Sequence, residues 1–175
     1  MERSLIHKSI TILFLLITVI FFSVAAWAGY TEFTMGGPII VHNDDNNEQS
    51  KVIIKGNSVI VPTKIFYGSN DAEVKLLLDT GASKTMINTD VAERLSIKLD
   101  RARKTQVHVV GGATIDAYVV RVKSLAFGIH TKRNWDIVVV PHNGPAVEYE
   151  GLLGMDVLRG LKYRIDFKKN LIVWE

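Results

Sequence analysis

The stretch Leu76-Leu77-Leu78-Asp79-Thr80-Gly81-Ala82-Ser83 carries an aspartate out of an apolar run and straight into a glycine-containing turn. A carboxylate in that position sits at the rim of a core, where desolvation disfavours its charged form and hydrogen bonds from the turn must compensate. Gly81 lets backbone approach the carboxylate closely. Such a group can exchange protons with a reacting molecule, and it can equally close a strand end as a simple Asx-type turn. The surrounding residues have to decide between these two roles.

Other chemistries are poorly served. Gly81-Ala82-Ser83-Lys84-Thr85 ends like a phosphate-binding loop, but Ser83 stands where such a loop needs glycine before the lysine. A serine-hydrolase elbow would need glycine where Thr85 stands. His42, His108, His130 and His142 never fall at i, i+4 on a plausible helix, and no cysteine accompanies them. They read as surface residues, and neither a metal nor any other cofactor is expected. The lack of cysteine also removes disulfides and thiolate nucleophiles. With 21 basic against 18 acidic residues, the cationic excess is slight and spread along the chain. Its densest run, Arg101-Ala102-Arg103-Lys104, has no interleaved aromatics and reads as a solvated loop, so nucleic acid is not an expected partner.

The elements that would position Asp79 are short β-branched runs punctuated by turn residues. Val52 to Ile54, Ser58 to Tyr67, Glu73 to Leu78, Gln106 to Val110, Ile115 to Val122, Trp135 to Val140, Tyr163 to Phe167 and Leu171 to Trp174 predict roughly eight strands. Lys168-Lys169-Asn170 is the turn before the last of them. Only Thr89 or Asp90 to Leu95, with a capping side chain at its start and a short Thr85-Met86-Ile87 strand before it, and Asp156 to Leu161 read as helical. At 175 residues, 47% of them hydrophobic, the chain suffices for one domain with a real core and is short for two. Many short strands, few helices and no internal period predict an all-β, closed or sandwiched architecture.

Two further motifs stand in order behind Asp79. Val107 to Val122 forms two strands meeting at Gly111-Gly112, and Gly151-Leu152-Leu153-Gly154-Met155-Asp156-Val157-Leu158 joins an apolar pair and a glycine to a short helix. On these residues the segment from about Ser58 to Glu175 resembles the retropepsin-like aspartic proteases. The resemblance implies a retropepsin-like closed barrel or sandwich half with one or two short helices, and a flap hairpin with Gly111 and Gly112 at its tip. It implies Asp79 as the catalytic aspartate, Thr80 and Gly81 as support for its turn, and Ala82, Ser83, Gly111 and Gly112 as substrate-binding residues. Hydrolysis in that family is the attack of water on a peptide carbonyl by two aspartates that share one proton, because like charges a few Å apart cannot both ionise.

This chain offers one such aspartate, so the resemblance implies a symmetric homodimer that brings Asp79 against its copy over a peptide or protein substrate. Thr80 would then link the two turns across the axis. Asp156 lies at a helix start and is expected to cap it. Two positions depart from the retroviral members, which usually carry Asp at Ser83 and Arg at Met155. Both halves of that ion pair are missing together, so no lone buried charge is left behind.

The N-terminus has its own logic. Arg3 and Lys8 precede an apolar run from Ile10 to about Val24, and Ala26-Trp27-Ala28 offers small residues to a signal peptidase, with cleavage expected before Gly29. The uncharged stretch to Ala28 is also long enough to remain as a membrane anchor. In both cases the next charges, Glu32, Asp44, Asp45 and Glu48, are acidic, so the domain is expected outside the cytoplasm, in the periplasm or its equivalent. The expected organisation is residues 1–28 as signal or anchor, 29–51 as a polar linker and 52–175 as the domain. The rival from another functional class is a catalytically idle fold of the same kind, serving as a binding or dimerisation module of the cell envelope.

Overall fold

In the computed structural model, residues 49–109, 111–142 and 147–175 are described; the expected signal or anchor and nearly all of the expected linker lie outside them. The longest antiparallel pairs set the frame. Strand β3 (Ser58–Tyr67) pairs with β4 (Asn70–Leu78), and β7 (Thr114–Phe127) pairs with β8 (His130–Val140). On β4 the buried residues Ala72, Val74 and Leu76 alternate with exposed Asp71, Glu73 and Lys75, the period-two pattern of a sheet with one wet face.

The remaining members of this sheet are β2 (Ile53–Lys55), β5 (Met86–Asn88), β6 (Arg103–His108) and β9 (Gly151–Leu153). Their order is β2-β3-β4-β9-β5-β8-β7-β6, and a further pairing of β3 with β7, from Thr63 opposite Phe127 to Phe66 opposite Ser124, joins the sheet back on itself. The expected closed β architecture is therefore present. Ile65, Leu76, Ile87, Leu125, Ile137 and Leu153 fill its interior with no exposed surface. Closure satisfies strand edges that would otherwise invite pairing with other chains.

A second, three-stranded sheet has β11 (Leu171–Trp174) between β1 (Gln49–Lys51) and β10 (Tyr163–Asp166). Thus Gln49–Lys51, the last residues assigned to the linker, form a strand, with Gln49 opposite Val173. Nothing apolar in Gln-Ser-Lys announces it; the strand exists because β11 offers an open edge. Between β10 and β11 the expected Lys168-Lys169-Asn170 turn is held by Asp166 Oδ1, which accepts from both lysine amides at 3.0 Å. Phe167 lies in that turn, 57% exposed, rather than in the strand.

Helix α1 (Thr89–Arg94) starts at Thr89 and ends one residue before the expected Leu95, but its cap is Asn88, one residue ahead of the expected start: Asn88 Oδ1 accepts from Val91 N at 3.0 Å. Helix α2 (Met155–Leu158) starts one residue earlier and stops three residues sooner than expected. Strands β7 and β8 run on to Phe127 and back from His130, through a charged stretch whose alternation is weak, because each supplies the other's hydrogen bonds. The Arg101-Ala102-Arg103-Lys104 run is corrected as well: Leu99–Arg101 is a 3-10 turn, and Arg103 and Lys104 open β6 opposite Val119 and Tyr118. Charged residues suit β6 because it is an edge strand.

Candidate active site

Asp79 is placed by a crossing of three strands. Strand β9 runs parallel to β4, with Leu76 opposite Gly151 and Leu78 opposite Leu153, and antiparallel to β5, with Met86 opposite Leu152. The turn 79–85, which carries the chain from β4 to β5, therefore straddles the end of β9. Asp79 N continues the ladder by donating to Leu153 O at 3.1 Å. Two glycines make the threading possible. A Cβ on Gly151 would lie 2.0 Å from Met86 O, and one on Gly154 would lie 2.5 Å from the carbonyl carbon and oxygen of Lys84. Both neighbours are backbone, so no side-chain adjustment relieves the overlap.

Within the turn, Gly81 N donates to Asp79 Oδ1 at 2.8 Å and Ala82 N to Asp79 O at 3.3 Å. One carboxylate oxygen is thereby fixed, while Oδ2 has no hydrogen-bond partner among the described residues. Asp79 and Ala82 are half-buried, and Thr80, Gly81 and Ser83 are exposed, so the turn forms a surface rather than a buried plug. The structure brings these five predicted residues into one continuous feature. Gly111 and Gly112 lie elsewhere, at the tip of the β6–β7 hairpin, with φ of +96° and +85°. Hydrogen bonds from Val109 N to Ala113 O (2.9 Å) and Gly112 N to Val109 O (3.1 Å) close that tip.

Beneath the turn lies a polar network centred on Thr85, which is fully buried. Its hydroxyl donates to Asp156 Oδ1 at 2.7 Å and accepts from Gly154 N at 3.1 Å. Its amide also donates to Asp156 Oδ1 at 2.8 Å, and its carbonyl accepts from Val138 N at 3.0 Å. Met155 N reaches Ala82 O at 2.8 Å. Every polar group of Thr85 is used, as a buried network requires if it is to rigidify its surroundings.

The expected capping role of Asp156 is corrected by this geometry. Gly154 occupies the N-cap of α2 and makes no side-chain cap bond, while Asp156 turns its carboxylate to Thr85 and accepts weakly from Trp135 Nε1 at 3.4 Å. A carboxylate that accepts two hydrogen bonds from buried Thr85 gains more than it would from solvent-exposed helix amides. Thr85 itself, read as the start of a strand, is the residue that the sequence missed; a threonine between Lys84 and an apolar strand is a thin signal. Ser83 is exposed and Met155 packs against the core, so the missing ion pair leaves no charge stranded. His130 also departs from its surface assignment: its ring stands edge-on to Trp174 at 4.8 Å and beside Phe127 at 5.6 Å.

The family description "Aspartyl protease" matches residues 61–157, and the chain belongs to that family. Its fold is retropepsin-like: a retropepsin-like aspartic protease from Rickettsia conorii superposes with a TM-score of 0.53 at 21% identity, covering 74% of this chain and 92% of that one. The EIAV protease complexed with the inhibitor HBY-793 gives 0.42 at 25% identity, over 61% of this chain and 88% of that one. The retroviral protease-like domain of Ddi1 from Leishmania major gives 0.44 at 19% identity, over 69% and 90% respectively. No curated protein matches the chain.

Proposed function

We propose that the protein is an aspartic endopeptidase in which Asp79 and the Asp79 of a second copy together activate the water that attacks a peptide carbonyl. The observation that carries this reading is the state of the two carboxylates in the family's motifs. Asp79 stands half-buried at a strand end with Oδ1 oriented by Gly81 and Oδ2 uncommitted, whereas Asp156 is bound by Thr85 and Trp135. The acid–base pair that the chemistry needs is therefore sought across a two-fold axis, where an isologous contact doubles one motif into a complete site.

In that pair, the ionised carboxylate takes a proton from water while the protonated one donates to the carbonyl oxygen. Thr80 joins the two turns, Gly81 and Ala82 line the channel with Ser83 beside them, and Gly111 and Gly112 let the hairpin tip close over the peptide. The same reading puts the domain outside the cytoplasm, delivered by the basic and apolar N-terminus. Mass analysis of the protein recovered from an exporting host tests that step, with a start at Gly29 expected for a cleaved signal and a start at Met1 for an anchor.

The decisive assay is incubation with a diverse peptide pool from acid to neutral pH, with pepstatin-like inhibitor controls. Cleavage by the wild type and none by Asp79→Asn is the expected result. Equal turnover by the two would remove Asp79 from the chemistry. An idle binding module predicts no cleavage by either, with Asp79 substitutions altering stability alone.

A further inference from the structure

Beside the Asp79 turn the structure holds a cavity of about 230 Å³, lined by Lys84, Arg121, Asn134, Trp135, Asp136 and Asp156. Its carboxylates are already engaged. Asp136 receives Arg121 Nε at 2.7 Å and Nη2 at 2.9 Å on its two oxygens. Asp156 receives the Thr85 amide and hydroxyl on Oδ1 and the Trp135 indole on Oδ2. The donors are not all engaged. Lys84 is exposed and makes no ion pair among the described residues, and Arg121 keeps the hydrogens of Nη1.

The local field points the same way. The Arg121 hydrogen bonds hold Asp136 below the usual carboxylate range against a smaller upward push from desolvation, and the charges of Arg121, Arg103 and Lys84 add to the lowering. Three cations thus bear on one carboxylate. Lys84 follows Asp79 by five residues in the same turn, which keeps their Cα atoms within about 18 Å, so an extended peptide of about five residues bound at Asp79 is long enough to span the distance to Lys84.

We propose, resting on the endopeptidase reading above, that this cavity is a subsite for a peptide carboxylate, with Lys84 as the specificity-determining residue and Arg121 as a second donor against the Trp135 wall. The carboxylate is that of a Glu or Asp side chain a few residues from the scissile bond, or that of the peptide's C-terminus. Exposed charge pairs are screened, so the preference is modest: about threefold to fivefold in kcat/KM for acid over amide at one position.

The test uses the full chain and matched peptides that differ as Glu or Gln at each position around a cleaved bond, each with a free or an amidated C-terminus. The same peptides, fluorescently labelled, are titrated onto Asp79→Asn, which reads binding without chemistry. Expected are an acid preference in both assays, its loss in Lys84→Met and Lys84→Gln with unchanged melting, its reversal toward lysine peptides in Lys84→Glu, and its decline as salt rises. The internal and terminal arms identify which carboxylate is bound. Cleavage with equal Glu and Gln rates at every position would overturn the subsite and leave the protease reading standing. Acid-preferring binding without cleavage by the wild type would do the reverse. Absence of any acid preference in binding, or a preference that Lys84→Met leaves intact, would also overturn the subsite.

Discussion

The floor of the site and the hairpin proposed to cover it are built on opposite principles. Around Thr85 and β9, backbone touches backbone, every polar group of Thr85 is bonded and two glycines are wedged against carbonyls. At the tip of the β6–β7 hairpin, Gly111 and Gly112 have open space where a Cβ would go, and what limits a side chain there is the positive φ rather than a clash. A protease needs its carboxylates held still while substrate enters and leaves. The contrast teaches that rigidity is concentrated where charge has to be positioned.

The sharpest way to break that contrast is Gly151→Ala. The new Cβ would meet Met86 O at 2.0 Å, so β9 or β5 must move, with an expected loss of about 3 kcal/mol or more in urea unfolding. Gly154→Ala should follow closely. A loss under about 0.5 kcal/mol in either variant would mean that the strands are not packed so tightly.

Thr85→Val comes next. It keeps shape and burial but removes the hydroxyl shared by Asp156 and Gly154, leaving a buried amide and part of a carboxylate unsatisfied. About 2 kcal/mol should be lost, and turnover should fall further than stability explains because the turn above is no longer fixed. Unchanged turnover in the fully folded variant would dissociate the network from the site.

Gly112→Ala sharpens the other side of the comparison. At φ +85° an added Cβ meets strain but no clash, and a stability loss of about 1 kcal/mol is expected. Turnover should suffer more than unfolding does, the inverse of the Gly151→Ala pattern. Equal effects on the two readouts would remove the functional distinction between hairpin and floor.

The smallest effect concerns the surface. Arg121 lowers the pKa of Asp136, so their pairing stabilises the fold above the ordinary aspartate value and is lost as pH falls from about 4 through the lowered folded value. With side chains 68% and 41% exposed, the pair is well screened. Asp136→Asn should therefore be slightly less stable than wild type at neutral pH, with the gap vanishing in acid. A gap that persists in strong acid would show that the effect is not electrostatic.

These expectations depend on features of unequal legibility. The alternating or continuous β-branched runs of β3, β4, β7 and β11 announced themselves because apolar periodicity is a local property. The Asp79 turn was equally plain, since an aspartate after three leucines is a rare local pattern. Strands β1 and β9 were hidden: Gln49–Lys51 has no apolar signal, and Gly151–Leu153 is held by pairing to β4 and β5, more than sixty residues away in the chain. Thr85 and Asp156 were misread for the same reason. Their partnership spans 71 positions, and a sequence pattern offers for each only the commonest local role, strand residue and helix cap.

The proposed catalysis by one Asp79 from each of two copies is exposed by mixing active and inactive chains. Wild type and Asp79→Asn are unfolded together, refolded at fixed total concentration and assayed on a cleaved peptide. If both carboxylates are needed in one site, activity follows the square of the wild-type fraction, about one quarter at equal amounts, because mixed dimers are silent. A linear fall to about one half would mean that each chain works alone, and would contradict the shared pair.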